Sequence, residues 1–421
     1  MLILHARTVL PVAAEPIDDG AVAIDKTTIV CCDTYPVIHK NFPAAEVIDL
    51  TDCALLPGLI NAHTHLELSV LKDRVPFHGD FIDWVWRLGA ARRELLTDLE
   101  SCLTNACRQS LAAGVTTVGD ICFKHRAWPH LARLPIRKTC FAEVFAVTAD
   151  LDLPRQYLRR CIADTQTDPL LRLGLSPHAP YSAHPKVYAL AAELAARHNL
   201  ALTTHLAETT AEINFLTQGA GPWLTYLQQI HHWDHSFTCP HQRPVTFLLQ
   251  MNLSQQPFLL AHVNFINDEE LHALAQTSHS VAYCPRSHRF FNHPEHPFRR
   301  MLTNGINVCL GTDSLASNSS LSILDEMRFL YRNFPDLPPL TILKMATLNA
   351  ARALGWHDKI GSLTPGLDAD LVAIPLTHSQ PLTPNPQLDP LCDILSSTTP
   401  PSLTMVRGKI INSSAYPNRR G

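Results

Sequence analysis

No Cys-x-x-Cys pair occurs in this 421-residue chain, although it carries 12 cysteines. The adjacent Cys31-Cys32 pair is badly placed for a mutual bridge, and Cys122, Cys140 and Cys309 sit in apolar runs. Buried free thiols are the expected state, and a reducing cytoplasm is the simplest compartment. No apolar run reaches the length of a membrane span. The apolar start, MLILHARTVLPVAA, lacks the basic n-region and long h-region of a signal peptide, so it reads as a strand. Basic charge is not in excess, with 34 Lys and Arg against 38 Asp and Glu and a net charge of −4. That excludes a broad polyanion-binding surface and disfavours nucleic acid as a partner. No internal repeat is visible. What the chain does have is 46% hydrophobic residues, ample for one large domain with or without a small one. It also has 23 histidines, most of them expected at the surface, as with His231, His232, His235 and His241.

Three strand-like runs open the sequence: LILHARTVL, GAVAIDKTTIV and AEVIDLTDCALL. Strand-like runs return near the end as DADLVAI and SLTMVRGKIIN. Between them, short apolar runs alternate with helix-length segments such as KVYALAAELAARHN and DEELHALAQ. The runs are LLPGLINAHTH, GVTTVGDICF, CFAEVFAV, LRLGLSPHAP, LALTTHLAET, FLLAHVNF, HSVAYCPRS and INVCLGTDS. Strand–helix alternation specifies a parallel sheet, and about eight units close a (β/α)8 barrel. Polar residues end several of these strands: His63 and His65, Asp120, His178, His205, His262 and Asp313. In such a barrel the C-terminal strand ends form the active-site mouth. The His-, Gln- and Pro-rich stretch from Trp223 to Pro257 reads as an insertion or extended loop after strand five, placed to cover that mouth. Thr377–Pro401 reads as an irregular connection.

The most informative stretch is Pro57–Ser69, PGLINAHTHLELS. In an extended strand, residues two apart point the same way, so His63 and His65 aim into one space. Glu67 joins them if the strand persists. Alone, such a pair also fits a solvated strand edge. Zinc takes about four N, O or S donors and leaves a catalytic position open. His205, ending LALTTHLAET, and Asp313, ending INVCLGTDS, complete a set of that size. Three imidazoles and one carboxylate leave a divalent ion near +1, and such an ion lowers the pKa of water from about 15.7 toward about 7.

PGLINAHTH, THLAET, LLAHVN and LGTDSLASN, in this order, resemble the amidohydrolase superfamily. More narrowly they resemble its chlorohydrolase and aminohydrolase branch, which includes deaminases of adenosine-type nucleosides, guanine and cytosine. The resemblance covers nearly the whole chain. It implies a TIM-type barrel over 58–359 and a small β-sandwich built from 1–57 and 360–421. It implies that His63, His65, His205 and Asp313 are the metal ligands. It implies that Glu208 is the general acid–base, that His262 hydrogen-bonds the attacking water or the attacked centre, and that Asp313 takes a proton with its second oxygen. Without the resemblance, Glu208 also reads as a loop or helix-start charge and His262 as a satisfied core histidine. Many superfamily members hold two metals bridged by a carbamylated lysine on strand four. The run read as that strand, CFAEVFAV, contains no lysine, and Lys138 lies before it. One metal ion is therefore expected, zinc first, with iron or manganese also suited to these donors.

Expected substrate contacts are Glu67, His178, Arg286, Ser287 and His288. Glu67 reads equally as a salt-bridged structural residue. Arg286, in CPRSHRFF, reads equally as a partner for a substrate carboxylate or as an interior salt bridge. Ser287 and His288 stand where nucleoside-deaminase relatives usually carry Ser-Asn. Trp84 and Trp86 read as an apolar wall or as core. The acidic, tryptophan-containing ribose signature of some relatives is not evident.

The expected reaction is deamination of a purine-type ring with release of ammonia. Among relatives, the HLE after the first histidine pair and the CPRSH run look most like deaminases of aminodeoxyfutalosine, a benzoate-bearing adenosine derivative on an alternative route to menaquinone. S-adenosylhomocysteine, methylthioadenosine and 5′-deoxyadenosine are close alternatives, and guanine a more distant one. Hydrolysis of a ring C–Cl bond or a cyclic amide on the same barrel is a second class. A non-catalytic binding barrel is a third. The partner expected is a small heterocycle, with no nucleic acid and no membrane, in a homodimer or larger homo-oligomer as the family often forms. The zinc deaminase signature HxE followed by PCxxC is present only in its first half, His65-Leu66-Glu67, and is rejected.

Overall fold

The computed structural model describes residues 1–123, 127–165, 168–230, 232–253, 256–377 and 389–413. Eight parallel strands form one sheet in sequence order: Leu59–Thr64, Val115–Phe123, Arg137–Val144, Leu171–Pro177, Ala201–Leu206, Phe258–His262, Ser280–Tyr283 and Asn307–Leu310. All eight runs read as strands are there. The first and last strands meet where the amides of Thr312 and Asp313 both donate to the His63 carbonyl at 3.1 Å. Asn61 and Thr312 also exchange side-chain bonds at 2.7 and 3.1 Å. Those contacts leave a nearly closed barrel. Its strands are buried on both faces, as parallel strands are; every residue of Arg137–Val144 is buried.

One face of the strands packs on the surrounding helices. From the other, Ile60, Ala62, Ile121, Phe141, Leu259, Ala282 and Cys309 gather around Trp356 and Ile360, filling the barrel. The helices carry local start and stop signals. Asn267 and Glu270 form a capping box on Asp268–Ala275. Pro185–His198 ends at Asn199, held in the left-handed region at φ 52°.

The two ends of the chain build a second sheet of seven strands. Its order is Lys409–Ser413, Leu403–Val406, Leu371–Pro375, Glu46–Pro57, Leu2–Val9, Ile17–Asp25, Thr28–Thr34. Glu46–Pro57 runs into the first barrel strand through Gly58, where a Cβ would meet Thr116 Oγ1 at 2.1 Å. All twelve cysteines are free. Among the described residues no helix is long and apolar enough to cross a membrane.

Three sequence expectations need correction. CFAEVFAV begins on the third barrel strand, Arg137–Val144, which does contain Lys138, its Nζ donating to the Leu134 carbonyl at 2.8 Å; the fourth strand is Leu171–Pro177, which holds no lysine. The segment after the fifth strand, read as an insertion or extended loop, is partly helical. It contains the helices Pro222–Gln229 and Pro244–Gln250, whose Trp223, Leu227, Val245 and Leu248 are buried; His231, Ser254 and Gln255 lie outside the described residues. Within Thr377–Pro401, residues 378–388 lie outside the described residues, and Pro390–Ser396 is a helix capped by the Asp389 carboxylate.

Candidate metal centre and active site

The first barrel strand stops at Thr64, and its register against the second slips between Asn61 and Thr64. Irregularities of this kind re-aim side chains at strand ends. His63 and His65 end up with ring centroids 5.1 Å apart, edge to face. The fifth strand brings His205, whose centroid lies 5.0 Å from His63 and 5.4 Å from His65. Asp313, just past the eighth strand, places Oδ1 3.6 Å from His65 Nε2. His65 Nε2 and His205 Nε2 are 3.4 Å apart. His262, ending the sixth strand, lies 5.3 Å from His63. Four distant segments thus converge, and His63, His65 and Asp313 offer donor atoms within 4.8 Å of one another. So do His63, His205 and His262.

The chemistry of this cluster fits a cation. His63 is 1% exposed, and among the described residues neither ring nitrogen has a hydrogen-bond partner. Two such orphaned atoms are costly unless something binds them. Burial pushes His65 and His205 down to about 4 and His262 to about 3, and His63 falls well below its usual range. Neutral imidazole is the ligating form. The Asp313 carboxylate is held by two hydroxyls: Ser287 donates to Oδ2 at 2.8 Å and Ser317 at 3.0 Å. His205 Nδ1 lies 3.2 Å from the His178 carbonyl, the outer bond that orients a ligating imidazole. Four residues at the strand ends carry left-handed backbone without being glycine: Ala207 at φ 50°, His262 at 74°, Val263 at 50° and Asp313 at 58°.

Glu208 follows the fifth strand. It is 7% exposed, with Oε1 3.6 Å from His262 Nε2. Burial raises its pKa well above the carboxylate range, with Asp313 and Glu212 adding to the effect. Its backbone is fixed from below by Glu212, which accepts from the amides of Ala207 at 2.9 Å and Glu208 at 2.8 Å. The Glu208 carbonyl accepts from Asn264 at 2.9 Å.

The expected substrate contacts are placed unequally. His178, after the fourth strand, faces the mouth; its Nδ1 lies 2.5 Å from Ser182 Oγ and its ring stacks on Phe145 at 4.0 Å. Glu67 is not on the strand. It lies on the 3-10 turn Leu66–Leu71, 2.6 Å from Arg92, because Asp120 accepts the Leu66 amide at 2.8 Å and bends the chain away. Arg286 is bonded to Ser320 at 2.8 Å and to Ser319, with Asp325 3.6 Å away. It borders a cavity of about 480 Å³ shared with Arg289, Phe290 and Ser317. The Ser287 hydroxyl is committed to Asp313. His288 donates from Nε2 to the Pro294 carbonyl at 2.6 Å, with Nδ1 3.1 Å from Asn264. Trp84 is core, donating to the Val75 carbonyl, whereas Trp86 is 37% exposed against Tyr226.

Sequence reasoning missed Glu212, Ser317 and Glu143. Thr209-x-x-Glu212 is a capping-box spacing, and Thr209 does cap the helix Thr210–Gln218. Glu143 was visible as the one charge inside CFAEVFAV, and a buried charge is the informative kind. Ser317 lay within LGTDSLASN, four residues after Asp313, without being singled out.

The chain matches the amidohydrolase family model over residues 54–411. A 5-methylthioadenosine/S-adenosylhomocysteine deaminase of Syntrophobacter fumaroxidans is 29% identical over 378 residues, 85% of this chain and 80% of the relative. Zinc-bound adenosine deaminase of Xanthomonas campestris superposes with a TM-score of 0.82 at 25% identity, over 98% of this chain and 93% of that one. Helicobacter pylori aminofutalosine deaminase, in complex with methylthio-coformycin, gives 0.86 at 24% identity over 98% and 100%, a likeness of fold.

Proposed function

Because this chain belongs to the amidohydrolase family, we propose that it is a metal-dependent deaminase of an adenosine derivative. It is a hydrolase acting on C–N bonds other than peptide bonds. His63, His65, His205 and Asp313 hold one divalent ion. Zinc is the first choice, because it is the metal of the Xanthomonas campestris neighbour. When bound, the ion supplies Lewis acidity that generates a nucleophile from water at neutral pH.

The protein's own groups do the rest. Glu208 gives a proton to a ring nitrogen of the purine and then one to the departing amine, as a carboxyl held protonated by burial can, and it is recharged each time by one of the two protons the water molecule loses, the first of them through Asp313. His262, 3.6 Å from Glu208, hydrogen-bonds at the carbon under attack. Asp313 keeps its charge through the Ser287 and Ser317 hydroxyls and receives a proton in the attack. Retention of a buried Glu208 favours loss of an amine over loss of chloride, which leaves without an acid. The observation that carries the reading is His63: two buried, unpartnered ring nitrogens at the centre of four converging segments. Aminodeoxyfutalosine is the favoured substrate, which would place the enzyme in menaquinone synthesis. Methylthioadenosine, S-adenosylhomocysteine and 5′-deoxyadenosine follow.

An ammonia-release assay over these four compounds and guanine tests the proposal. Turnover of at least one adenosine derivative is expected, lost on chelation and restored by zinc. Absence of turnover for every purine in zinc-loaded protein would refute it.

A further inference from the structure

We propose that Glu143 and His178 form a subsite that reads the vicinal hydroxyls of the substrate's ribose. The inference rests on the deaminase reading above and assigns a part of the ligand that the metal centre does not address.

Glu143 is the penultimate residue of the third barrel strand and pairs in register with Ser176, two residues before His178. Its side chain is 7% exposed. Among the described residues no hydrogen bond reaches its carboxyl group; the nearest partner is His178 Nε2, 4.0 Å away. The neighbouring carboxylates are occupied. Asp120 accepts from the Leu66 amide and the Cys122 thiol, and Glu67 is paired with Arg92. A carboxyl group so little exposed and without a protein hydrogen bond among the described residues is open to a ligand that enters the mouth.

The geometry sets the kind of ligand. Ser182 Oγ donates to the Ala179 carbonyl at 3.2 Å, so His178 carries its proton on Nδ1, toward Ser182, and leaves Nε2 as an acceptor. Glu143 and His178 therefore present two acceptors about as far apart as two neighbouring hydroxyl groups can bridge. Two acceptors repel an anion and suit a pair of O–H donors. Phe145, 37% exposed and stacked on His178, offers an apolar face beside them. Glu143, His178 and His205 place donor atoms within 4.8 Å of one another, so the subsite abuts the centre where the base reacts. A second cation held by these three residues is the competing occupant. It is disfavoured because His205 has no nitrogen to spare: Nδ1 is taken by the His178 carbonyl and Nε2 faces His65.

The test compares kcat/KM for the best adenosine derivative with its 2′-deoxy and 3′-deoxy counterparts, in wild type and Glu143→Gln. Assayed at a pH above the value of about 8 to which burial raises the Glu143 carboxyl, wild type should disfavour each deoxy compound by about 10- to 100-fold, the scale of one hydrogen bond to a charged group. In the variant the preference should shrink to about threefold or less, with melting temperature and metal content unchanged. Wild type indifferent to the hydroxyls would overturn the subsite without using any variant. An equal loss on all substrates in Glu143→Gln, or loss of bound metal, would overturn it as well. Calorimetric binding of inosine against 2′-deoxyinosine separates the two readings. Ribose preference in binding with no ammonia release from any purine keeps the subsite and sinks the deaminase. Turnover without ribose preference does the reverse.

Discussion

The two ends of the barrel treat buried charge in opposite ways. At the N-terminal end Arg137 is wholly buried, and its guanidinium is fully used. It bonds both oxygens of Asp370 at 2.9 and 3.0 Å, Asp368 at 2.8 Å and the Pro169 carbonyl at 3.2 Å. Asp370 also accepts the Arg407 amide at 2.8 Å. The guanidinium lies 4.8 Å from the Trp356 ring, whose N–H donates to Thr139. This network fastens the third barrel strand to the terminal sheet. At the C-terminal end, among the described residues, His63 has two orphaned nitrogens, the Glu143 carboxyl has no hydrogen bond, and four non-glycine residues hold left-handed backbone. Burial there pushes Glu143 up to about 8, with Glu67 and Asp120 adding and Arg92 opposing. The Arg137 charge is satisfied within the chain; His63 and Glu143 are left for what the site binds. Residues at the first end should govern stability, and those at the second should govern activity at some expense of stability.

The sharpest way to break that contrast is at Glu208. Glu208→Gln should lower kcat/KM by about 10²- to 10⁴-fold while metal content and melting temperature hold; near-normal turnover would remove Glu208 from the chemistry. The opposite end gives the next largest effect. Arg137→Ala leaves Asp370 buried without its cation and should cost about 3–5 kcal/mol in denaturant unfolding. Activity per folded molecule should stay unchanged, and a selective loss of kcat would erase the distinction between the two ends. Ser317→Ala is the finer probe. Removing one of the two hydroxyls on Asp313 Oδ2 should weaken metal affinity by about 10- to 100-fold with little change in unfolding, as read by chelator competition.

Much of this division was legible in the sequence. The eight strand runs are locally apolar and several end in His or Asp, so barrel and ligands could be read together from PGLINAHTH, THLAET and LGTDS. What was not legible depends on contacts between distant segments. Glu67 was expected to share the histidine face, but Asp120, 54 residues away in sequence from Leu66, turns the chain there. Arg286 read as an even choice until the loop after the eighth strand supplied Ser319, Ser320 and Asp325. Glu143 was in view, yet its significance lies in lacking a partner, which only the packed barrel reveals.

The central claim is that one cation is gripped by His63, His65, His205 and Asp313. Anomalous diffraction at the zinc edge on crystals of the purified protein tests it most directly. The expected result is a single peak at about 2.0–2.2 Å from one atom of each of these four residues. No peak among them, or a peak held by Glu143 and His178 instead, would contradict the account.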